Sequence, residues 1–184
     1  MASTWFGMER RLRFTMLRLF LFASFIGVAL AGEWNCASTT GVFELSTDCT
    51  VSSEVVVTSS LNITGIPDAN GVLPKIIGGG SNRLFKVESG GELVVNYLEL
   101  TGGRVSENSC SNSWATCGGG ALHVAGQLNV TNCVVKDNRA ETGGGIICIG
   151  GSNCKIYGTT IEDNYAHCCS GGVENNGDYL FLEN

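Results

Sequence analysis

The strongest constraint on this sequence is a repeat. Placed one under the other, "GGGALHVAGQLNVTNCVVKDN" (Gly118 to Asn138) and "GGGIICIGGSNCKIYGTTIEDN" (Gly143 to Asn164) share three opening glycines, a short apolar ladder and a closing Asp-Asn. Aligned from their asparagines they set Leu128 over Cys154, Val130 over Ile156, Val135 over Ile161, Asp137 over Asp163 and Asn138 over Asn164, a period of 26 residues. Downstream, "LFLEN" puts Leu180 and Leu182 in the same frame. Upstream, Leu93/Val95 stand 35 residues before Leu128/Val130, and Leu61/Ile63 stand 32 residues before that. Five copies are readable, and periods of this length belong to solenoids or propellers.

Within each copy apolar and polar residues alternate, as in Leu93/Val95/Tyr97 and Leu128/Val130, so each copy holds a short strand with one face inside. A second strand is expected before it at Phe85/Val87, Leu122/Val124 and Ile147/Ile149, and a single inward residue after it at Leu100, Val135 and Ile161. The glycines, among them Gly119, Gly120, Gly144 and Gly145, fall where sharp corners are needed. Asn138 and Asn164 form a corner column able to bond the corner backbone and each other. A leucine-rich horseshoe has a similar period, but only one residue separates Val130 from Asn132, where that fold requires two.

The segment before the repeats reads differently. "MERRLRF" followed by the 13-residue apolar run Leu19–Ala31, ending Ala-Leu-Ala, has the build of a secretory signal peptide cleaved after Ala31. The alternative, a membrane anchor, needs about 20 apolar residues. Removing residues 1–31 leaves 7 Lys+Arg against 16 Asp+Glu, a net charge of −9. Nucleic acid and polyanionic polysaccharide held by charge alone are poor partners for such a chain.

All 9 cysteines follow Ala31, which fits an oxidising compartment, and the odd number leaves at least one without an internal partner. Cys36 and Cys49 bracket the segment before the first expected strand, and residues 32–54 read as an N-terminal cap ahead of repeats spanning 55–184. The polar excess of the long copy falls in "RVSENSCSNSWATC", whose tip Cys110 and Cys117 bracket, and it reads as a surface loop closed by its own disulfide. Pairing of Cys133, Cys148, Cys154, Cys168 and Cys169 stays open. Two glycosylation acceptor triplets, "NIT" at Asn62 and "NVT" at Asn129, both begin on the outward position between two inward residues.

The phrases "RLFKVESGGELVVNYLELTGG", "GGGAL", "VKDN", "GGGII" and "IEDN" together resemble a right-handed parallel β-helix of the pectin-lyase-like superfamily. The motifs are most similar to repeats of the polymorphic outer membrane protein type, in which Gly-Gly-Ala-Ile/Leu alternates with Phe-x-x-Asn. Gly119 to Leu122 fits, Gly144 to Ile147 is a variant, and Val135 and Ile161 stand where that family has Phe. The resemblance implies an all-β solenoid of four to five rungs over about Val55 to Asn184.

It implies little about chemistry. Enzymes on this fold group carboxylates and basic residues on one outer face. The candidates here are Asp137 over Asp163 as a calcium or acid–base pair, with Lys136, Glu162 and Arg139 beside them. Both aspartates also belong to the repeat itself, which is the simpler explanation. His123 lies on an outer strand face, His167 in a corner, and the "DPHE" signature of alginate epimerases is absent. No cofactor is implied.

The expected function is a secreted or cell-surface repeat protein with a structural, adhesive or binding role, with glycans or other surface proteins as partners and no membrane-spanning helix after Ala31. The alternative is a carbohydrate-active enzyme, or an N-terminal fragment of one. Because "LFLEN" sets Asn184 over Asn132 rather than over the corner asparagines, the last rung is expected to be incomplete.

Overall fold

The computed structural model describes residues 31–106 and 116–184, and residues Gly32–Asn184 form one compact unit. The chain is all-β. It opens with β1 (Gly32–Glu33), β2 (Gly41–Leu45) and β3 (Cys49–Val51). β4 (Val55–Val57), β5 (Ser60–Gly65) and β6 (Lys75–Gly78) follow, then β7 (Phe85–Val87), β8 (Glu92–Asn96) and β9 (Glu99–Thr101). Next come β10 (Leu122–Val124), β11 (Gln127–Thr131), β12 (Val134–Lys136) and β13 (Arg139–Ala140). They are repeated by β14 (Ile146–Cys148), β15 (Asn153–Tyr157), β16 (Thr160–Glu162) and β17 (Tyr165–Ala166), and β18 (Val173–Asn175) and β19 (Tyr179–Glu183) complete the order.

Among the described residues these strands form three larger parallel sheets and a small one. The first has the order β1-β2-β5-β8-β11-β15-β19, the second β3-β6-β9-β12-β16, the third β4-β7-β10-β14-β18, and β13 pairs with β17. The chain visits the three in rotation, so each strand pairs with its copy from the neighbouring circuit. The pairings are those of the repeat: Leu61 with Leu93, Leu93 with Leu128, Leu128 with Cys154 and Cys154 with Leu180.

Alternation decides what lies inside. Leu61, Ile63, Leu93, Val95, Leu128 and Val130 from the first sheet, Ile76, Leu100 and Val135 from the second, and Val57, Phe85, Val87, Leu122 and Val124 from the third are at most 1% exposed and share one core. Trp34, 2% exposed, stacks on Phe85 at 5.7 Å and donates Nε1 to the Ser38 carbonyl at 3.1 Å. A Cys36–Cys49 disulfide fixes this end. Closing a loop of 13 residues contributes about 3 kcal/mol in the chain-entropy description.

Two expectations need correction. Residues 32–54 are more than a cap, since β2 pairs with β5 and β3 with β6. The alternation was hidden there because the inward position opposite Leu61 is Gly41. The inward pair of β14 is Ile146 and Cys148, not Ile147 and Ile149: Leu122 pairs with Ile146 and Val124 with Cys148. Ile147 faces outward opposite His123, yet both are covered, at 0% and 4% exposure. Gly118 backs onto Ile147, where a Cβ would lie 2.5 Å from its Cδ1. The slip arises because four residues (149–152) separate β14 from β15 but only two (125–126) separate β10 from β11.

Candidate functional site

The corner after the second sheet is where the sequence placed its chemistry, and its backbone dictates the residues. Gly102, Asp137 and Asp163 occupy equivalent positions with φ of 70°, 54° and 50°. This left-handed region costs most residues about 1–2 kcal/mol and is tolerated best by Gly, Asn and Asp. Asp137 and Asp163 are therefore adjacent in the stack, with exposed side chains, in positions that the turn assigns to them on backbone grounds alone.

One residue on, the column turns inward. Asn138 is 1% exposed. Its Oδ1 accepts from Gly103 N at 2.8 Å, and its Nδ2 donates to the carbonyls of Leu100 (3.0 Å) and Lys136 (2.8 Å) and to Asn164 Oδ1 (3.0 Å). Asn164 Oδ1 also accepts from Asn138 N at 3.1 Å, and Asn164 Nδ2 donates to the Val135 carbonyl at 2.8 Å. The asparagine ladder thus satisfies corner groups in three successive circuits, which buried backbone demands.

The glycines serve close approach. Gly119 and Gly143 share positive φ (71° and 52°), and Gly120 N donates to the Gly144 carbonyl at 3.0 Å. A Cβ on Gly120 would run into that carbonyl, and one on Gly144 into the carbonyls of Tyr165 and Gly171. Gly145 is held likewise, its amide donating to the Gly171 and Gly172 carbonyls at 2.9 and 3.1 Å.

The basic residues named with the aspartates are engaged elsewhere. Lys136 stacks beside Glu162 in register but pairs with Glu99 at 3.5 Å, which Lys75 also reaches at 3.1 Å. Arg139 lies over the Tyr165 ring, 4.4 Å from its centroid. His123 sits on the outer face of the third sheet, while His167 lies exposed in a corner with its amide bonded to the Ala140 carbonyl. Among the described residues no group of three or more His, Cys, Asp or Glu side chains is arranged to hold a metal ion, and no helix is long and apolar enough to cross a membrane.

The cysteines resolve further than the sequence allowed. Cys148 and Cys154 are bonded, joining the third sheet to the first from inside the core, and Cys168 pairs with its neighbour Cys169. Cys117 is disulfide-bonded, and Cys110 lies outside the described residues. Cys133 is free and buried; it donates to the carbonyls of Val95 and Thr131, and burial pushes its thiol up to about 11. The Cys148–Cys154 pair was legible in principle: with Ile146 rather than Ile147 read as inward, Cys148 and Cys154 become inward residues either side of one turn. Arg83, 6% exposed, belongs to no repeat and so carries no signal in the sequence pattern. It holds Glu54 at 3.0 Å and the Thr116 carbonyl at 2.7 Å, anchoring the chain where it returns to β10.

Asn62 and Asn129 lie on the outer face of the first sheet, on β5 and β11, half-buried between fully buried neighbours. The chain matches no protein-family model, no curated protein and no solved structure.

Proposed function

We propose that this chain is a secreted or cell-surface repeat protein built as a right-handed parallel β-helix, whose role is structural, adhesive or ligand-binding rather than catalytic. The rotation of the chain through three parallel sheets in constant register supports the solenoid reading. The disulfides suit an oxidising compartment, as does the signal-like segment ahead of Gly32.

The observation that carries the functional reading is the corner geometry of Asp137 and Asp163. Their φ values, shared with Gly102, account for the aspartates as turn formers, which removes the reason for treating them as an acid–base or calcium pair. What remains is a long surface of parallel outer rows, suited to glycans or surface proteins as extended partners.

The test is to challenge the purified protein with pectic, alginate and related polysaccharides, following chain cleavage and retention on the immobilised glycan. No new chain ends are expected, and retention is expected on glycans of low charge rather than on the polyanionic ones, because residues 32–184 carry a net charge of −9. Release of reducing or unsaturated ends that is lost in Asp137→Asn would overturn this reading in favour of a carbohydrate-active enzyme.

A further inference from the structure

The outer face of the first sheet carries a row that the core does not explain. Val42, Asn62, Val94, Asn129 and Lys155 stand side by side on successive strands. Val42 is 64% exposed and Val94 is half-buried, so apolar side chains face outward beside each asparagine. Each asparagine opens an Asn-x-Thr triplet, and strand alternation brings the threonine, Thr64 or Thr131, onto the same face two residues on. At both sites the amide and the hydroxyl therefore lie on one face, Thr64 Oγ1 also accepting from Asn96 Nδ2 at 3.4 Å, and one intervening strand, β8, puts the sites about 10 Å apart.

We propose that Asn62 and Asn129 both carry N-linked glycans, making the outer face of the first sheet a sugar-covered face on which the innermost sugars lie over Val42 and Val94. The inference rests on the exported reading above. In the transfer the side-chain amide nitrogen bonds to the anomeric carbon of a lipid-diphosphate-linked oligosaccharide. The bond from that carbon to the diphosphate oxygen breaks, the lipid diphosphate leaves with its electron pair, and the amide gives up one proton. Sugar C–H groups and acetyl methyls then remove from water the valine surface that is otherwise exposed. A protein partner or glycan ligand is left the outer face of the second sheet, where Lys75, Glu99 and Lys136 lie.

The full chain, expressed in a secreting eukaryotic cell, is expected in the medium with two glycans. One is lost in Asn62→Gln, one in Asn129→Gln, and both on glycosidase treatment. Thr64→Ala and Thr131→Ala are expected to remove the same glycans singly while Thr64→Ser and Thr131→Ser keep them, which separates a loss of acceptor from a loss of folding. Exported protein at the bare polypeptide mass overturns this inference and leaves the exported reading intact; a single glycan overturns it for the bare site. Unmodified chain retained in the cytosol overturns both. Glycosidase treatment of the folded protein is expected to raise binding of an apolar dye, and unchanged dye binding would refute the covering of Val42 and Val94.

Discussion

Asn138 concentrates more hydrogen bonding than any position in the sequence pattern suggests. Its side chain makes four hydrogen bonds within a 1%-exposed site. Truncation leaves the Gly103 amide unpaired away from water, which costs about 1–3 kcal/mol, and removes the side chain's other bonds as well. Asn138→Ala is therefore expected to lower unfolding free energy by about 3 kcal/mol in urea titration, and Asn164→Ala, half-buried, by about half as much. Asp137 answers to the backbone instead. At φ 54° an alanine is strained by about 1 kcal/mol, while Asp137→Gly and Asp137→Asn should be near neutral. Melts of the parent protein in calcium and in chelator should coincide; a shift of several degrees that vanishes in Asp137→Asn would contradict this. Cys133 gives a pH dependence with a definite sign. Its folded thiol titrates at about 11 against an ordinary 9.0 because burial disfavours the thiolate. The resulting stabilisation is fully present below pH 9 and is lost as pH rises through about 11. Parent and Cys133→Ala should therefore differ more at pH 8 than at pH 10.5 in the parent's favour, and alkylation at pH 8 should need denaturant.

At the scale of elements, what the sequence made legible was the strands whose inward residues are all large and apolar. Leu61/Ile63, Leu93/Val95 and Leu128/Val130 announce β5, β8 and β11 and set their register without ambiguity, since a shift by one would put every one of them in water. Where an inward position is filled by glycine or cysteine the signal fails. Gly41 hid β2 and Cys148 hid the register of β14, while the glycines of the corner are tolerated in more than one alignment. Of the candidate site, the asparagine ladder was legible because both members repeat at 26 residues. The burial of His123, the ion pairs of Glu99 and the anchor at Arg83 were not, because they depend on groups that do not repeat. The disulfide that the slip concealed has a measurable weight. Cys148 and Cys154 are separated by 6 residues, and closing so short a loop contributes about 2 kcal/mol. The double variant Cys148→Ser/Cys154→Ser should lose at least that much in denaturant unfolding, with buried hydroxyls adding to the loss.

Over the whole molecule, sheet pairing among the described residues links strands mostly 20–37 residues apart in sequence, from Gly41 with Leu61 to Phe85 with Leu122, and none of these pairings reaches further than the neighbouring circuit. Stability in such an arrangement sums over adjacent layers, and length differences between circuits are absorbed at corners without disturbing the layers. The turn between β14 and β15 is a direct instance, carrying two residues more than its counterpart while Leu128–Cys154 and Val130–Ile156 stay paired. At its tip Gly150 and Gly151 face open space, with no atom beyond their own chain neighbours within 4 Å of where a Cβ would stand, and the Cys148–Cys154 bond clamps its base. This makes the turn a ready-made port for peptide display. A short epitope spliced between Gly150 and Gly151 should be recognised by its antibody on the native protein, held as a closed loop, with the melting temperature of the carrier left within a few degrees of its parent.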